Sequence, residues 1–449
     1  MRSIQIQDKV KSGSMLNKYL PVLLVSLFSV IFVIGCSDNN NNPVGNNPDS
    51  PSKVQGKATD NSGFQKSRST NSNIEGATVI LARVKADGSL ETVSNASVQT
   101  DVSGQYTVET NVDGESNLVV VATKGSSKWE AVVSSTVKNG ITVYAPPMND
   151  ETTVEAGVYA SIKASGDVNV TFADIASTIN SEIATQVKGN ASAMADLAAS
   201  IKAEAEAKVK AFTGSEVGGT QAKWQIIANA RAQAQTQLDR DLFLASSQSE
   251  IDAAFESYTN ATINAYNTAG SDASAYGKVV EASSRVFINN ATSISSSAQF
   301  AAKKRIALLK AKIINYVVQV KFTAMGASQT QLNTVISAAA TLYASISASS
   351  TSSEIITAFD NYHTTVVNEL RVTLGLDATT TTTIESNIAV FKSELKSSVF
   401  ASASTDVIVN AYMKFYSDVK AGVEAILTSS SQTEVNAAAQ IFILLNAQF

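Results

Sequence analysis

Residues 353–362 read Ser353-Glu354-Ile355-Ile356-Thr357-Ala358-Phe359-Asp360-Asn361-Tyr362, and residues 249–258 read Ser249-Glu250-Ile251-Asp252-Ala253-Ala254-Phe255-Glu256-Ser257-Tyr258. Ile, Ala, Phe and Tyr recur at helical spacing, so each stretch packs one face closely. Weaker copies are Asp406-Val407-Ile408 with Ala411-Tyr412 and Phe415, and Thr433-Glu434-Val435 with Ala438-Ala439 and Phe442. A Ser, Thr or Asp at the helix start, followed in most copies by an acidic first-turn residue, suits the positive end of the helix dipole. The first two copies follow Ser-rich links, Ala245-Ser246-Ser247-Gln248 and Ser349-Ser350-Thr351-Ser352. The interval from Ile355 to Ile408 is about half that from Ile251 to Ile355, the spacing that duplicated helical hairpins would produce. The bland alternative is that capped amphipathic helices look alike, but the first two copies match too closely for that.

Outward from these copies, the period stays near four from about Asp167 to Phe449. Met194, Leu197, Ile201, Ala205, Val209 and Phe212 form one stripe, stopped by Gly214, and Trp224, Ile227, Ala234, Leu238 and Leu242 form a second. Ile306, Leu309, Ile313, Tyr316 and Val320 form a third, widened by Leu308, Ile314 and Val318, which predicts a central helix buried on most sides. About eight to ten helices are expected in all. The run Thr379 to Thr383 reads as a linker ending near a helix cap.

Upstream the texture changes. Val54 to Thr59, Ala77 to Val84, Ser97 to Thr100, Tyr106 to Thr110, Leu118 to Thr123, Glu130 to Ser134 and Ile141 to Tyr144 read as seven strands. Asp87-Gly88, Ser103-Gly104, Asp113-Gly114 and Asn139-Gly140 supply the turns. The fold class predicted is multidomain β + α: an N-terminal seven-stranded β-sandwich over 53–158, then a mostly α-helical bundle or repeat domain over 167–449. Gly56-Lys57-Ala58-Thr59-Asp60, Glu75-Gly76-Ala77-Thr78-Val79 and Thr100-Asp101-Val102-Ser103-Gly104-Gln105-Tyr106-Thr107-Val108 stand in one order. They resemble the pattern of carboxypeptidase-regulatory-like modules, relatives of the transthyretin-like and Cna-B sandwiches. The resemblance covers under a quarter of the chain and implies a stalk, spacer or binding platform. A polar insert, Asn61 to Asn73 with Lys66 and Arg68, departs from that pattern and reads as a solvated loop. Cna-B relatives can cross-link Lys to Asn, but no Asn and helper Glu can be matched to Lys57.

Further upstream, Lys18 precedes an uncharged run from Tyr19 to Ile34, then Gly35 and Cys36, the only cysteine. The run is about 15 residues, short of the roughly 20 that span a bilayer. Val33-Ile34-Gly35-Cys36 resembles the lipobox of bacterial lipoprotein signal peptides. The resemblance implies a signal peptide over 1–35, cleavage between Gly35 and Cys36, and acylation of Cys36 by membrane lipid. Met15 opens a more conventional signal peptide than Met1 does. The Asn- and Pro-rich segment 36–52 reads as a flexible tether. Ser37 in second position leans toward the outer membrane, surface-exposed or periplasm-facing.

The rest of the 449-residue chain carries little chemistry. Charged residues are 16% and the net charge is −5, so no field draws it to nucleic acid. His363 is the only histidine, so a His-based triad or metal cluster would rest on it alone; it reads as a boundary residue. Glu204/Glu206 and Asp239/Asp241 are two apart, so on a helix they diverge, and both pairs read as solvated charge. Lys303, Lys304, Arg305, Lys310 and Lys312 form the one basic cluster, without interleaved aromatics, and read as a solvated helix face. Asp113-Gly114-Glu115 reads as a hairpin turn rather than a calcium loop. No catalytic residue, metal site or cofactor is expected. The expected function is a non-enzymatic binding or scaffolding role for a lipid-anchored envelope protein, with a protein or glycan partner. Alternatives are a periplasm-facing carrier or assembly factor for an apolar ligand, and a hydrolase, which would need convergent polar side chains in a cleft.

Overall fold

The computed structural model describes residues 50–61, 63–64, 73–166 and 170–448. The leader with Gly35 and Cys36, the tether to residue 49, and Lys66 and Arg68 of the insert lie outside the described residues. Among the described residues, eight strands come first: β1 (Ser52–Lys57), β2 (Thr78–Val84), β3 (Leu90–Thr92), β4 (Val98–Gln99), β5 (Gln105–Thr110), β6 (Leu118–Lys124), β7 (Ser127–Val133) and β8 (Thr142–Tyr144). Strand β3, which follows the Asp87-Gly88 turn, is the one not read from the sequence. One sheet has the order β5-β1-β8, with β1 antiparallel to β5 and parallel to β8. The other has the order β3-β2-β6-β7, and β4 also pairs with β2. Val54, Tyr106, Val108 and Val143 from the first sheet meet Val79, Leu81, Leu118, Val120, Ala131 and Val133 from the second in one core. At the Ser103-Gly104 turn Gly104 has φ +73°, and a Cβ there would lie 2.5 Å from the Ala58 carbonyl oxygen, so the turn requires glycine.

Strand β6 explains how the two halves join. Leu118-Val119-Val120-Val121-Ala122 is apolar at every position, the pattern of a strand buried on both faces. Leu118, Val120 and Ala122 face the sandwich core. The alternate residues Val119 and Val121, with Val132 of β7, belong to a second core shared with helical residues Val154, Val158, Ile162, Ile175 and Leu197. The sheet's outer face is therefore covered by helices, and Asn47–Phe449 forms one compact unit.

Thirteen α-helices are described: α1 (Asp150–Ala164), α2 (Phe172–Thr178), α3 (Ser181–Val187), α4 (Ala191–Thr213), α5 (Gln221–Leu244), α6 (Gln248–Thr268), α7 (Ala273–Asn290), α8 (Ser296–Ala324), α9 (Gln329–Ala348), α10 (Ser352–Thr373), α11 (Ala378–Phe400), α12 (Thr405–Ile426) and α13 (Gln432–Asn446). Helix α1 begins within the stretch read as β module, and α2 and α3 are too short to show a period. The repeated stretches open α6 and α10, but their caps lie earlier than the first serine quoted. Ser247 and Thr351 are the N-caps, closing capping boxes with Glu250 and Glu354, and Ser431 with Glu434 does the same for α13. Ile251, Ala254, Ile355, Ala358, Tyr362, Ile408, Tyr412, Phe415, Val435, Ala438 and Phe442 are all buried, so the repeated face is the inner one.

Two expectations are corrected. Thr379–Thr383 lies inside α11, not in a linker; Thr381, Thr382 and Thr383 donate their hydroxyls to carbonyls one turn back, so the helix satisfies them itself. The most enclosed helix is α7, not α8. Leu309 and Tyr316 of the predicted α8 stripe are half-buried and Val320 is exposed, whereas α7 is buried along nearly its whole length. Small residues allow this: a Cβ on Gly277 would come within 2.7 Å of Leu444 on α13. The charged residues of α7, Lys278, Glu281 and Arg285, are all buried.

Candidate functional site

The charged residues of the helical part turn inward to an extent their spacing did not reveal. Glu204 and Glu206 diverge on α4 as expected, but only Glu206 is solvated; Glu204 is buried, 3.2 Å from Lys208 Nζ. Asp239 is wholly buried while Asp241 is half-exposed and takes the Gln237 amide. The basic cluster also splits: Arg305 donates to the Ser177 and Ala176 carbonyls, and Lys310 pairs with buried Glu281 on α7. His363 sits at the boundary, its Nε2 3.4 Å from Asn446 Nδ2 and 3.9 Å from Glu385. Burial and the nearby Lys392 charge push its pKa down, so the ring is neutral at pH 7. At the Asp113-Gly114 turn, Asp113 accepts the Asn139 amide, and Glu115 forms an ion pair with Arg83. Gly35 and Cys36 lie outside the described residues.

The densest charge network joins three helices. Asp174 of α2 takes Arg231 of α5 at 2.9 Å and Lys208 of α4 at 3.2 Å, and accepts the Thr171 hydroxyl at 2.8 Å. Burial opposes the charged carboxylate, but the two cations beside it overcome this and hold its pKa well below the usual range. A cavity of about 40 Å³ adjoins the network, lined by Glu204, Lys208 and Arg231 and by Tyr266 and Tyr276, whose rings stack 4.7 Å apart. It has room for a few water molecules, not for an acyl chain. Every charge in the network has an opposite partner, so its chemistry is structural.

The surface offers a different geometry. An open groove of about 550 Å³ runs between α3 and the first turns of α8, with Ser350 of the α9–α10 link at its edge. Glu182, Thr185 and Gln186 project from α3, and Ser296, Ser297, Phe300 and Lys304 from α8. All but Phe300 and Lys304 of these are exposed. Hydroxyls, one amide, one carboxylate and one ammonium surround a half-buried aromatic ring, a set that can hydrogen-bond a polar ligand and supply one apolar contact. Among the described residues, no group of His, Cys, Asp or Glu could hold a metal ion, and no helix is long and apolar enough to cross a membrane. No family model, no curated protein and no solved structure matches this chain.

Proposed function

We propose that this chain is a lipid-anchored protein of the bacterial cell envelope, attached through acylated Cys36, whose role is non-enzymatic binding or scaffolding. The groove carries the binding part of this reading: it is open, polar and built on packed helices around Phe300. The order Val33-Ile34-Gly35-Cys36 after an apolar run supports the anchor, and Ser37 supports the outer membrane, on its outer or its periplasmic side. The G-A-x-V and T-D-x-x-G-x-Y elements support a carboxypeptidase-regulatory-like β module. Because β6 and β7 share a core with the helices, that module serves as a platform continuous with the interaction domain.

Arrays of bacterial surface glycans and peptides, probed with the purified chain and its Phe300→Ala variant, test the binding role. The parent chain is expected to select a subset of polar ligands, and the variant to lose about tenfold or more in affinity, as central aromatic contacts do. Equal binding by Phe300→Ala and by Lys304→Ala would remove the groove from the account.

A further inference from the structure

Three carboxylates are buried together where the β module meets the helices. Glu151 and Glu155 lie one turn apart on α1, and Asp239 lies on α5; they are 2%, 5% and 0% exposed. Among the described residues no ion pair reaches any of them, in contrast to Asp174. Two of them hold the β module directly. Glu151 accepts the backbone N–H of Phe64 at 3.1 Å, which seats Phe64 of the polar insert against Leu238, Leu242, Ile251 and Phe255. Asp239 accepts the backbone N–H of Ser134, just past β7, at 3.3 Å, and also contacts the Ser134 hydroxyl. Part of the insert is thus an anchor, not the solvated loop its composition predicted.

We propose that Glu151, Glu155 and Asp239 form a proton-locked clasp that holds the β module on the helices in mildly acidic medium and loosens as the medium turns alkaline. A lone buried carboxylate is costly to ionise, and three near one another repel. The surrounding charges relieve this only in part. Arg305 on α8 attracts Glu151 and Glu155, but burial outweighs it, and its guanidinium hydrogen-bonds the Ser177 and Ala176 carbonyls at 2.8 Å each rather than a carboxylate. At the rim, Lys128 pairs with Glu130 on β7, and Lys188 with Asp150; Glu182 on α3 and Arg240 on α5 are exposed. A place for one proton is visible: Gln235 Nε2 lies 3.0 Å from Asp239 Oδ1, while buried Gln235 Oε1 has no partner. Turning that amide over would set Oε1 to accept the proton of a neutral Asp239.

Burial pushes Glu151 and Asp239 each up to about 7, and burial with the Glu151 charge raises Glu155 well above the carboxylate range. A raised folded-state pKa contributes stability that is complete below the unfolded carboxylate range and is lost as pH rises through the folded value. The loss therefore begins just above the ordinary carboxylate range, near pH 4.5, and runs upward through about pH 7, where Glu151 and Asp239 ionise.

Hydrogen exchange on the full chain, followed from about pH 5.5 to 8.5 and corrected for intrinsic rates, tests the proposal. The amides of Phe64 and Ser134 should lose about tenfold or more of their protection across that range, while amides of α12 and α13 keep theirs. The Glu155→Gln variant, which removes one charge and no hydrogen bond, should shift that loss to higher pH. Protection that is flat with pH at Phe64 and Ser134, or that falls equally throughout the molecule, would overturn the clasp. Should Glu155→Gln not fold, the parent chain's two amides decide alone.

Discussion

Asp174 has no counterion to spare and none missing: Arg231 and Lys208 meet it inside the protein, and Lys208 also meets Glu204. Removing one member of such a set leaves the others charged and dry. Asp174→Asn should therefore destabilise the chain by about 3–5 kcal/mol, measured by urea unfolding at neutral pH. Its pH sign opposes that of Glu151 and Asp239. A lowered carboxylate pKa contributes stability that is present above the ordinary carboxylate range and is lost only in strong acid. Strong acid thus unmakes the Asp174 network and mild alkali the clasp. Spacing showed that Glu204 and Asp239 point away from their neighbours, but not which member points inward. Their environment held the clue: Glu204 lies beside Ile201, Ala205 and Lys208, and Asp239 beside Leu238 and Leu242, all at the edge of apolar stripes. A charge at a stripe's edge is legible as buried only once its partner is known, and Asp174 and Ser134 are distant in sequence.

Among the elements, the repeated helices were the most legible, because a capping residue, an apolar face and an aromatic reinforce one another locally. Their caps were displaced because Ser-rich links offer several hydroxyls, and only the one three residues before Glu250 or Glu354 can close the reciprocal box. Thr351→Ala should cost about 1 kcal/mol in urea unfolding, whereas Ser353→Ala, outside the box, should be near neutral. Equal effects would refute the assigned cap. Helix α7 was not singled out in the sequence: its Gly, Ala and Ser residues permit close packing, and its three charged residues are buried with them. In β6 the reverse held, since an unbroken apolar run announces two buried faces and had been read only as a strand.

At the scale of the whole molecule, β + α order followed from the change in period read near residue 166, but the first helix already begins at Asp150, inside the stretch read as β module. The joining of the two parts did not, because Phe64, Ser134, Glu151 and Asp239 come from four separate segments. That joining puts the β module and the groove in one compact unit, and the proposed role requires that unit to be held at a membrane. Metabolic labelling with a clickable palmitate analogue, followed by membrane fractionation of cells carrying the parent chain or Cys36→Ser, addresses this most directly. The account predicts a labelled parent in the membrane fraction, and an unlabelled Cys36→Ser variant released from it or left unprocessed. A parent chain that takes no label, or a Cys36→Ser variant labelled and membrane-bound as before, would contradict it.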